Sequence, residues 1–234
     1  MFLFRLRPAM LVGLALATAG VTDLRAQQIV PYGAVEASGF GNGVALIGLG
    51  IGTGRAGWGP VANVSALAVR IRDAAGDGFR TETALSAAIG VRYASMTAAT
   101  SILGGYTFVE EGVSGSQVGG RGATATVQHD YWGTGERMAQ LIGTYNFGAE
   151  YLWSRAKATQ KLSPISPLSA GGELIVQGGG SGSNDSWVAQ FGPVLQFFAT
   201  ERLRFDLSGG VALRNRDQPA SGYARLEFVL IPAR

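Results

Sequence analysis

The chain has 234 residues, 47% of them apolar, with 36 glycines, one histidine and no cysteine. A formal net charge of only +3 gives no case for a nucleic-acid partner, and the lack of cysteine excludes disulfides and a lipid-bearing N-terminal cysteine. With a single histidine, neither a dedicated transition-metal site nor any other cofactor is expected.

The first feature in chain order is Arg5 and Arg7, followed by an apolar run over 9–21 and then small residues before Ala26. That is the layout of a secretory signal peptide, and the run is too short to span a membrane as a helix. Cleavage is expected after Ala26, with Ala19 as the alternative, and residues 27–234 form one domain. Loss of Arg5, Arg7 and Arg25 together with Asp23 lowers the net charge to +1.

Strand candidates follow one another from there. Segments 30–38 and 44–52 flank a Gly/Asn turn, and 60–72 and 79–93 flank Ala74-Ala-Gly-Asp-Gly78. Next come 101–110, 123–131, 138–145 and 151–160, then 168–177, 187–198, 203–215 and 223–230. This makes twelve, or ten if two short runs are loops. Segment 203–214 shows the pattern best: Leu203, Phe205, Leu207, Val211 and Leu213 share one parity, Arg204, Asp206, Ser208 and Arg214 the other. A strand sends successive side chains to opposite faces, so each segment has one apolar and one polar face. Many of these runs exceed the ~5–6 residues usual in soluble sheets and approach the ~9–11 needed to cross a bilayer at a tilt.

The fold class expected is therefore all-β: an antiparallel transmembrane up-and-down β-barrel of about 12 strands (10 possible), located in the bacterial outer membrane among its lipids. The longest Gly/Ser/Asn loops, 112–122, 178–186 and 216–221, all follow odd-numbered strands, as expected if one barrel end carries long loops and the other short turns. The turn near 146–148 is short and breaks that rule. Trp58, Phe79, Tyr93, Tyr131, Trp132, Trp153 and Trp187 lie near strand ends, as interfacial aromatic belts do. Alternation does not say which face is wet, so an exported soluble sandwich or lipocalin-like barrel with its apolar face inward is the competing architecture.

In the membrane reading Arg80, Glu82, Arg92, Arg155, Lys157, Glu173, Arg204, Asp206, Arg214, Arg225 and Glu227 face the lumen, where both signs are present to pair and brace the wall. Tyr151 and Trp153 share a face with Arg155 and Lys157, a combination suited to stacking on sugar rings and hydrogen-bonding their hydroxyls; an aromatic belt at the strand end is the other reading. His129 has the parity of Val127 and Tyr131 and reads as a belt residue, since no nucleophile elbow accompanies it. The run Gly48-Leu-Gly-Ile-Gly-Thr-Gly54 lacks the following helix that a phosphate cradle needs. Glu110 and Glu111 offer a calcium site only weakly and read as a solvated loop. No catalytic or metal-binding residue is assigned, and a non-enzymatic protein is expected.

Tyr145, Tyr151-Leu-Trp-Ser-Arg-Ala-Lys157, Leu162-Ser163, Gly172-Glu173 and Gly222-Tyr-Ala-Arg-Leu226 together resemble the cellulose biosynthesis protein BcsS family, small exported barrels of alphaproteobacteria. The resemblance covers roughly the second half of the chain. It implies association with cellulose or exopolysaccharide secretion, with cellulose chains and secretion components as partners, and carries over no catalytic residue. A general small porin or surface-exposed adhesin-like barrel with no polysaccharide role is the alternative.

Overall fold

The computed structural model describes residues 27–39, 41–53, 55–72, 78–109, 121–133, 135–179, 186–215 and 219–231. The expected signal peptide at 1–26, Glu110, Glu111 and nearly all of the loop at 112–122 lie outside them, as does the side chain of Arg80. Twelve strands account for most of the rest. They are β1 Gln27–Ser38, β2 Gly43–Thr53, β3 Gly57–Arg72, β4 Phe79–Ala94, β5 Ala98–Val109 and β6 Gly122–Tyr131. The second half supplies β7 Arg137–Asn146, β8 Tyr151–Lys161, β9 Leu168–Gly179, β10 Ser186–Phe198, β11 Leu203–Arg214 and β12 Ser221–Leu230. All twelve expected segments are strands, and the count is twelve rather than ten.

Each strand pairs antiparallel with its chain neighbours, and β1 closes the ring on β12 from Tyr32↔Val229 to Ser38↔Tyr223. Closure leaves no open sheet edge, so the ladder hydrogen bonds run all the way round the wall. Connections at one end of the barrel, after even-numbered strands, are three to six residues long; those at the other end run from four to twelve. The short turn between β7 and β8 is genuine. Asn146 Oδ1 accepts from the Gly148 and Ala149 amides at 3.0 and 3.1 Å, and Glu150 adopts φ 51°, so four residues reverse the chain.

The facing settles the architecture. Ile47, Ile89, Ile102, Val127, Leu141, Leu174, Leu207 and Leu226 all point outward and are exposed, whereas the opposite parity of the same strands is inside. A closed barrel with its apolar face outward is soluble only in hydrocarbon, which makes this the transmembrane form and not the inward-greasy alternative. Aromatic pairs mark both rims: Trp58 with Tyr93 at the short-turn end (centroids 5.3 Å apart), Tyr106 with Phe108 (4.7 Å) and Tyr145 with Phe147 (5.0 Å) at the long-loop end.

Glycine lets neighbouring strands approach closely on the inner wall. Gly192 and Gly210 face each other across β10 and β11, and a Cβ on either would strike the other strand's backbone. The ladder lapses at that point, between Phe191↔Val211 and Val194↔Ser208, which is also where Pro193 has no amide hydrogen to donate. On β2, a Cβ at Gly48 would collide with the ring of Tyr32, which lies over the glycine and donates its hydroxyl to Asn63 Oδ1 at 2.9 Å. The glycine-rich run is thus wall, not a phosphate cradle.

Facing has a direct energetic consequence. Leu207→Arg, mid-strand on the outer face, is expected to destabilise the barrel by about 2–4 kcal/mol. Thr126→Arg, on the partly exposed inner face, is expected to cost well under half of that. Urea unfolding of both variants in lipid vesicles checks the order.

Candidate functional site

The inner wall has two unlike halves. On β8–β12 and β1, long charged side chains reach across the lumen to strands that are not their neighbours. Arg155 on β8 donates to Glu173 on adjacent β9 at 2.7 Å and to Glu227 on β12, four strands round the ring, at 2.5 Å. Lys157 Nζ lies 2.5 Å from Asp206 on β11 and 3.3 Å from Glu227. Arg204 Nε is 3.3 Å from Asp206, and Arg225 on β12 is ion-paired with Glu36 on β1. Glu36, Glu173, Asp206 and Glu227 thus face Arg155, Lys157, Arg204 and Arg225, four charges of each sign.

Neutral donors complete the shell. Gln190 Nε2 donates to Glu36 at 2.6 Å, Gln196 Nε2 to Asp206 at 3.0 Å, and the Tyr223 hydroxyl to Glu173 at 3.2 Å. Apart from the half-buried Arg204, every charged member of the network is buried. Charges removed from water cost several kcal/mol each unless they are paired and hydrogen-bonded, so the network holds together as a unit.

Apart from Glu82, Arg92 and Asp130, the described inner polar side chains of β4–β7 are uncharged and mostly short. Ser86 and Thr107 hydroxyls meet at 2.9 Å, as do Thr126 and Thr144. Asp130 accepts from Gln128 Nε2 at 2.6 Å and from Gln140 Nε2 at 2.8 Å. Thr126, Gln128, Asp130, Gln140 and Thr144 remain partly exposed, unlike most of the opposite half. Here the lumen still offers hydroxyl and amide groups to solvent.

Among the residues expected on the polar face, Arg155, Lys157, Glu173, Arg204, Asp206, Arg225 and Glu227 meet in the one network. Glu82 is buried on the inner face of β4, Arg92 lies ten residues further along the same face, and Arg214 shares the inner parity of β11. Trp153, expected either as a belt aromatic or as a lumen-facing companion of Arg155, has the inward parity of Arg155, because even positions of β8 face outward. Tyr151 is inward too, donating to Gln177 Oε1 at 3.2 Å. The cations of Arg155 and Lys157 are committed to carboxylates, which leaves Tyr151 and Trp153 as the partly exposed members of that group.

Glu36, Gln190, Gln196 and Tyr223 were not singled out from sequence. A charge or amide amid an apolar strand was the available signal, but nothing local names its partner. His129 faces outward, with Nδ1 2.9 Å from the Thr100 hydroxyl. Asp130 points the opposite way into the lumen, so no Ser-His-acid relay is assembled around this histidine among the described residues.

No family model matches the sequence, and no curated protein matches it significantly. Solved structures do share the fold. The KdgM porin aligns with TM-score 0.50 at 9% identity, covering 87% of this chain and 99% of that one. The NanC porin aligns with TM-score 0.50 at 10% identity, covering 88% and 100%. The β domain of the Bordetella autotransporter BrkA gives TM-score 0.49 at 12% identity, covering 87% and 99%. The likeness is one of fold.

Removing one member of the network strands its partners. Arg155→Leu leaves Glu173 and Glu227 without their guanidinium and is expected to destabilise the barrel by about 3–5 kcal/mol. The check is the temperature at which the folded form converts to the slower or faster-migrating unfolded form on an unboiled gel, which should drop well below that of the wild type.

Proposed function

We propose that this protein is a non-enzymatic outer-membrane barrel that serves as a narrow conduit for small uncharged polar solutes, with its long-loop end facing outward from the cell. The observation that carries this reading is the split inner wall. On one half the four acids and four bases of the network balance, and all but the half-buried Arg204 are buried, so the network itself presents no net charge to a passing ion. On the other half, the accessible groups are the hydroxyls of Thr126 and Thr144 and the amides of Gln128 and Gln140, with Arg92 and Asp130 supplying one charge of each sign. Such a surface exchanges hydrogen bonds with polyols and sugars without selecting a charge. The outward apolar wall between two aromatic rims supports residence in a bilayer, and the porins that share the fold are consistent with it. Proteoliposome swelling is the test. Small neutral sugars should enter faster than equally sized anionic or cationic ones, and planar-bilayer currents should show weak ion selectivity. A barrel that passes no sugar, or that strongly prefers one sign of ion, is incompatible with this proposal.

A second reading, service to cellulose or exopolysaccharide secretion, is favoured by the placement of Tyr151 and Trp153 near the long-loop mouth and by the resemblance around 151–157. It predicts that deleting the gene lowers secreted cellulose or alters fibre assembly while polymer synthesis continues. Trp153→Ala should reproduce part of that defect at unchanged barrel abundance. Normal cellulose yield and fibre morphology in the deletion strain would exclude it.

A further inference from the structure

Arg70 is out of keeping with the wall it sits on. It lies on the outward parity of β3 near the long-loop end, exposed, with its guanidinium carbon 3.9 Å from the centroid of Phe79. Among the described residues no carboxylate pairs with it. A cation on the lipid-facing surface is expensive at the midplane and tolerated near the headgroups, where an anion can meet it.

Beside it runs a shallow, almost wholly apolar groove on the outer wall. The groove is lined by Val35 and Glu36 of β1, Gly43, Val44 and Ala45 of β2, Ala68 and Arg70 of β3, and Thr81 of β4; the Glu36 carboxylate itself is turned inward, paired with Arg225. Its floor is low because the residues of β2 and β3 there are small: register places Ala45 opposite Ala68 and Gly43 opposite Arg70. Val35 and Thr81 form its sides, and Arg70 with Phe79 forms its upper rim. The hairpin of β3 and β4 extends this rim, since residues 79–83 run beyond the last pairing with β5 at Ala84↔Val109.

An apolar channel one side chain deep, capped by a cation stacked on an aromatic ring, matches an anionic amphiphile: an acyl chain in the groove and a phosphate at the guanidinium. We propose that this face is a binding site for a phosphorylated, multiply acylated glycolipid of the outer leaflet. The assignment to that leaflet rests on the outward orientation of the long-loop end proposed above. It does not depend on solute passage, so a barrel that conducts nothing leaves the site untouched.

The test uses the full barrel purified in mild detergent and stripped of lipid. Bisphosphorylated lipid A is added back, and the complexes are counted by native mass spectrometry. Wild type should form a one-to-one complex. Arg70→Gln should weaken it about fivefold, the effect of one interfacial cation. Gly43→Leu should weaken it by filling the groove; a Cβ there meets only ordinary contacts, at 3.6 Å from the Glu36 carbonyl and 4.0 Å from the Arg70 Cβ, so folding is retained. Arg137→Gln, an exposed cation at the opposite end of the barrel, should leave binding unchanged. Absence of the complex, equal binding of phosphatidylglycerol, or equal affinity in the Arg70 and Gly43 variants would overturn the site. Gel mobility of unboiled samples confirms that each variant is folded before it is scored.

Discussion

Everything in this molecule depends on the pairing of β1 with β12. Twelve strands that alternate apolar and polar residues have an unpaired edge at each end until those two meet, and hydrocarbon offers no water to satisfy an edge. Once Tyr32–Ser38 is laddered onto Tyr223–Val229, the sheet has an inside and an outside. The apolar parity can then face lipid along the whole wall. The polar parity is forced together inside, and that is where charges separated by long stretches of chain come within reach of one another.

The buried ion network is the consequence. Arg155 and Glu227 are 72 residues apart in sequence and four strands apart on the ring, yet 2.5 Å apart across the lumen. Every charge but the half-buried Arg204 is tolerated because two or more partners surround it. This ties six strands together and narrows one side of the interior. On β6 and β7 most inner side chains stay partly exposed. Close strand approach is accommodated at Gly192 and Gly210, and room for Tyr32 at Gly48. The asymmetry of the lumen thus follows from which strands carry long side chains and which carry short ones.

Much of the fold was legible in the sequence, and for a definite reason. Period-two alternation is a local property, so each of the twelve strands could be located to within a few residues, as with 151–160 for Tyr151–Lys161. Parity likewise sorted Glu173 and Asp206 from Leu174 and Leu207. What parity omits is neighbourhood round the ring. That Glu36 would meet Arg225 and Gln190 follows from closure and shear, which no short segment encodes. At Trp153 two local signals disagree: lying near a strand end suggests a membrane belt, while its parity with Arg155, also legible in the sequence, places it on the inner wall. Alternation also left open which face was wet, and only the closed ring with Ile89 and Leu207 outside decides that.

The central claim is the phase of that alternation in a bilayer, and the absence of native cysteine makes it directly measurable. Single substitutions Thr124→Cys, Ala125→Cys, Thr126→Cys and Val127→Cys along β6 would each carry a small fluorophore, in vesicles whose acyl chains bear nitroxide quenchers. Quenching should be strong at 125 and 127 and weak at 124 and 126. Uniform quenching, or strong quenching at 124 and 126 instead, would contradict the account.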